Sequence, residues 1–100
     1  MRFPKPDGAL SPADPIPQRV ILWAVYGNPN FPHMCACQIK PGANGPRIWQ
    51  YSSAEKNFGF VLNGDTLERW FSLQRMAYFF PIQDDALAFL RDLTYPRGRR

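Results

Sequence analysis

The sequence predicts an α+β fold: a small antiparallel sheet of three to five strands, nucleated by a hairpin over residues 19–40 and packed on one face against two C-terminal helices. Three observations lead there. Val20 to Tyr26 is an unbroken apolar run of seven, rich in β-branched and aromatic residues, shorter than a usual helix or a membrane span. The segment Gly27-Asn28-Pro29-Asn30-Phe31-Pro32 that follows favours a loop, and His33 to Lys40 then resumes with two-residue alternation. Near the end, Ala86, Phe89, Leu90 and Leu93 follow helical spacing behind Asp84 and Asp85, where the macrodipole favours anions.

Taken in order, residues 1–18 hold five of the eleven prolines and few large apolar groups and read as an extended, poorly packed arm, with Phe3 or Ile16 the residues able to pack on the domain. Pro12-Ala13-Asp14-Pro15 has PxxP spacing, which occurs often by chance in such stretches. In the first strand, Val20, Leu22, Ala24 and Tyr26 share one face and Ile21, Trp23 and Val25 the other. Both are apolar, so this strand belongs in the sheet interior. Along the second strand His33, Cys35, Cys37 and Ile39 form the expected core face, because the alternate face ends in Gln38 and Lys40.

Residues 41–46 make a Pro- and Gly-rich loop, and Arg47 to Tyr51 alternates as a third strand. Ser52 to Gly64 reads two ways. As a helix it has a Ser52/Glu55 capping box, and as a strand it aligns Phe58, Phe60 and Leu62; an interior Gly59 costs a helix ~1 kcal/mol and tips the reading to strand. Asp65 is the expected cap of a short helix to about Gln74. Met76 to Ile82 should be extended ahead of Pro81, and the last helix, 84–94, should stop at Pro96.

At 100 residues, 45% of them apolar and 15% aromatic, the chain suits one domain over residues 19–95, with the arm before it and a basic tail, 96–100, after it. The net charge of +4 is concentrated in that tail: residues 1–18 sum to zero, residues 19–94 to +1, and Arg97, Arg99 and Arg100 supply the rest. A polyanion-binding field normally needs a basic face on the folded body instead. Prolines break the N-terminus before an apolar export segment can start, so a cytoplasmic protein without membrane attachment is expected.

His33, Cys35 and Cys37 are the one local cluster of ligand-type residues, and alternation puts all three on one face. No fourth ligand is at hand, so core cysteines beside a rim histidine are the simpler reading, and no cofactor is implied. Cβ atoms about 7 Å apart also keep the two cysteines from pairing on a regular strand. A Cys-His nucleophile lacks an orienting third group, and nothing else forms a catalytic set, so the expectation is a protein that is not an enzyme. Arg47, Trp49 and Tyr51 interleave cation and aromatic on one strand face, with Lys40 and Arg19 near it. Together with Arg97, Arg99 and Arg100 they are the candidate binding residues.

The leading functional expectation is a small protein-binding module acting through an aromatic and arginine surface. That covers an accessory or inhibitor protein, a homodimer joined through the sheet, or a mobile-element product acting on a host defence complex. A nucleic-acid-binding accessory protein using the same strand face and the tail is the second, and a metal or thiol site at His33, Cys35 and Cys37 the third.

Overall fold

Residue patterning decides both where the strands lie and which sides they bury. In the computed structural model, which describes residues 6–10, 15–52 and 59–94, the apolar run becomes β1 (Leu22–Asn28) and its partner β2 (Phe31–Lys40). They form an antiparallel hairpin with Leu22 opposite Cys37 and Tyr26 opposite His33. The turn is tight: Asn28 Oδ1 accepts the Asn30 N–H at 2.8 Å, an Asx-type turn that the sequence Asn-Pro-Asn favours. β1 starts two residues later than the apolar run, and Val20 and Ile21 ahead of it are exposed.

β3 (Arg47–Ser52) adds to β2, and β4 (Gly59–Thr66) adds to β3. Helix α1 (Leu67–Ser72) carries the chain to β5 (Met76–Phe80), which returns to pair with β1 before α2 (Gln83–Thr94). The result is a five-stranded antiparallel sheet in the order β4-β3-β2-β1-β5, an α+β fold with one long C-terminal helix. The ambiguous stretch is a strand over residues 59–66; its capping-box alternative began at Ser52, which is the last residue of β3 and pairs with Gly59, while Glu55 and the rest of residues 53–58 lie outside the described residues.

The two helices sit on opposite faces of the sheet, which corrects the expectation that both would cover one. On the first face, Leu22, Ala24, Cys37, Ile39, Ile48 and Phe79 pack with Leu67 and Trp70 of α1. On the second, Val25, Met76 and Phe80 pack with Ala86 of α2, and Phe89, Leu90 and Leu93 close over them. The reason lies in β1 and β5, whose successive residues are buried on both sides: Ala24 and Val25, Phe79 and Phe80. A strand pair apolar on both faces needs a cover on each.

Short connections decide which helix takes which half. Only Pro81 and Ile82 separate β5 from α2, so α2 falls back chiefly over β5, β1 and β2. α1 begins directly after β4, its first N–H bonded to the Pro46 carbonyl at 2.8 Å. Within the proline-rich N-terminal segment, Ala9 is buried against the α2 side, Leu10 donates its N–H to the Phe79 carbonyl at 2.9 Å, and Ile16 packs beside the α1 core. No helix among the described residues is long and apolar enough to cross a membrane.

Candidate functional site

Because α2 packs chiefly on β5, β1 and β2, the same face of the sheet is left open by the described helices along β3 and β4. Register identifies its side chains. Trp23 lies opposite Ala36, Gln38 opposite Trp49, Lys40 opposite Arg47, Trp49 opposite Leu62 and Tyr51 opposite Phe60, and residues opposite one another share a face. Arg47, Trp49 and Tyr51 therefore stand in a row on the α2 side, as alternation along β3 implies, with Lys40 beside them. Arg19 approaches the same end of β2, its N–H bonded to the Ile39 carbonyl at 2.8 Å.

The row divides in two. At its cationic end, the Lys40 Nζ sits 4.6 Å above the Trp49 ring, a cation–π contact that covers the indole. Arg47 donates through Nη2 to the Gly64 carbonyl at 2.7 Å, while its buried Nε has no hydrogen-bond partner. That contact spans the irregularity where β4 departs from regular pairing between Arg47 and Trp49, so Arg47 braces the strand. At the other end Tyr51, 43% exposed, meets Phe60 edge to face with ring centroids 5.6 Å apart.

Beside that ring pair opens a cleft of about 530 Å³, lined by Ile21, Trp23, Met34, Cys35, Ala36, Tyr51 and Phe60. Its size falls in the range of small-molecule and side-chain pockets. Of these, Tyr51 was a binding candidate from the sequence and Cys35 a metal or thiol candidate. The others come from β1 and the residue before it, from β2 and from β4, and Trp23 and Met34 pack as well against the core beneath α2.

The face beneath α1 disposes of the cysteine cluster differently. Cys35 and Cys37 are free thiols; Cys37 is fully buried beside Leu22, Ile39 and Ile48, whereas His33 is exposed and lies against Tyr26, ring centroids 5.6 Å apart. Gln50 Nε2 donates to Cys35 Sγ at 3.3 Å and to the Tyr26 hydroxyl at 3.4 Å, and Asn63 Nδ2 donates to Gln50 Oε1. Burial raises the Cys35 thiol above its ordinary value against the opposing hydrogen bonds from Gln50 and Tyr26. Burial, with Cys35 adding to it, drives Cys37 far higher, and burial followed by Cys35 raises Tyr26. A thiol held neutral is a poor nucleophile and a poor metal ligand. Among the described residues no three His, Cys, Asp or Glu side chains converge on a metal-sized site.

Arg97, Arg99 and Arg100 lie outside the described residues. Comparison with protein-family models, with curated proteins and with solved structures finds no match. The function must be argued from the surface itself.

Proposed function

We propose that the protein is a small non-enzymatic protein-binding module whose working surface is the uncovered part of the α2 face. The observation that carries this is the cleft bounded by Trp23, Met34, Tyr51 and Phe60, left open by a helix that protects only the other half of the same face. Large aromatics left at a surface beside a pocket are where partner side chains anchor and where binding energy concentrates. The partner is a polypeptide segment that buries an apolar side chain in the cleft and sets a carboxylate near Lys40. On a strand the step from Arg47 to Tyr51 covers about 13 Å, so acid and anchor belong to one short stretch of the partner. Such a module suits an accessory or inhibitory role.

A nucleic-acid interface using Lys40, Arg47, Trp49 and Tyr51 draws on the same row and ranks second. Base stacking needs an open aromatic face, and Lys40 occupies that of Trp49. Phosphate neutralisation needs a free guanidinium, and Arg47 is bonded to Gly64.

The test is capture from native lysate at moderate salt, with and without nuclease, comparing the wild-type chain with Tyr51→Ala and Phe60→Ala. The expected result is a protein retained through nuclease treatment and lost, at least tenfold, with either variant. Retention indifferent to both substitutions, or a bound fraction that disappears with nuclease, would overturn the reading.

A further inference from the structure

The sheet has two edges, and the chain treats them differently. At the β5 edge, the Leu10 N–H bonds to the Phe79 carbonyl and Ala9 is buried alongside. At the β4 edge no described strand pairs outward. Edge strands are normally guarded by charges, proline or a bulge placed along them. Gly59 to Leu62 carries no charge or proline and lies in regular register with β3, and the irregular pairing of β4 falls beyond Leu62.

We propose that β4 pairs antiparallel with β4 of a second copy of this chain, joining two five-stranded sheets into one of ten. Like-with-like pairing suits this strand for three reasons. Its side chains are self-complementary: a two-fold axis at Val61 sets Val61 against the second copy's Val61 on one face and Phe60 against the second copy's Leu62 on the other, and Val61 and Leu62 are 43% and 39% exposed in the single chain. The charge balance permits it, since the one charged residue of β4, Asp65, is paired with Arg69 at 3.1 Å, so two identical strands meet without repulsion. The seam also runs into the uncovered α2-side face, so pairing continues an apolar surface across both copies.

A two-fold axis at Val61 pairs residues 59–63 with their counterparts, roughly 17 Å of strand in a sheet about 10 Å thick, which puts the seam on the order of 200 Å² per copy against the about 800 Å² of a standard stable interface. The dimer is therefore concentration-dependent. The seam and the proposed cleft share Phe60, but Val61 points to the opposite face from the cleft, so substitutions at Val61 test the dimer separately from partner binding.

Sedimentation or light scattering from micromolar to millimolar concentration is the test. The mass should double from 11.5 kDa as concentration rises. Val61→Lys and Val61→Glu should each stay monomeric at every concentration, while an equimolar mixture of the two should recover the doubled mass, which misfolded chains would not do. Leu73→Lys, at an exposed apolar residue away from the edge, should dimerise as the wild type does. A wild-type chain that stays monomeric throughout, a dimer untouched by Val61→Lys, or a mixture that fails to recover would each overturn the assignment. Loss of the dimer with lysate capture intact would leave the cleft reading standing.

Discussion

Cys37 is where a single buried atom has a measurable pH consequence. Its thiol is held neutral by burial, above the ordinary value of 9.0, so the folded state keeps a proton that the unfolded chain releases. The sign follows: stability is fully present below about pH 9 and falls as pH rises, at up to ~1.4 kcal/mol per pH unit for this one proton. Denaturant melts at rising pH should show that slope, and Cys37→Ala should reduce it, the raised Cys35 and Tyr26 keeping a remainder of the same sign, while lowering stability at neutral pH through lost packing. Native thiol titration should find Cys37 unreactive until the protein unfolds. The burial of Cys37 was legible, because alternation placed it beside Ile39 on the core face. The contacts of Lys40 and Arg47 were not. Sequence spacing puts a cation and an indole on one face, but whether the cation reaches outward or lies on the ring depends on neighbouring strands and on local backbone geometry.

Elements show the same division between pattern and context. A short helix after Asp65 was legible from its cap chemistry and from Leu67 and Trp70, yet the capping residue is Thr66, whose Oγ1 accepts the Arg69 N–H at 3.2 Å. Asp65 instead pairs with Arg69 from the preceding strand. Thr66→Ala should therefore destabilise the domain by about 1 kcal/mol, read from chemical denaturation, whereas Asp65→Ala should cost less than about 1 kcal/mol as an exposed pair. Gly64 sits just before, at φ +104° with open space where a Cβ would be. Gly64→Ala should cost on the order of 1 to 2 kcal/mol through backbone strain alone. Which face each helix covers was not legible, because hydrophobic periodicity says that a helix has a buried side without saying against what. The two-residue link from β5 decides that for α2.

For the whole molecule, the two halves of the α2 face predict opposite responses to the same kind of truncation. Phe80 is fully buried, lies opposite Trp23 and packs 5.8 Å from the Phe89 ring, so Phe80→Ala should lose about 3 to 5 kcal/mol and much of the cooperative transition. Tyr51→Ala, on the exposed half, should change stability by less than about 1 kcal/mol and act on binding instead. A thermal melt of both variants separates the protected half from the half free for recognition. The α+β class, the interior place of β1 and the final helix were legible because each rests on a strong local pattern. The return of β5 to β1 was not, since pairing between strands so far apart in sequence leaves no local trace. That return also sets a timetable for the ribosome. Strands β1 to β4 can zip in sequence as they emerge, but β1 keeps one raw edge until residues 76–80 arrive, on the order of several seconds after residue 28 at ordinary elongation rates. During that interval the half-made sheet is at its most exposed to chaperones and to other nascent chains, and slowing translation between β4 and β5 would lengthen it.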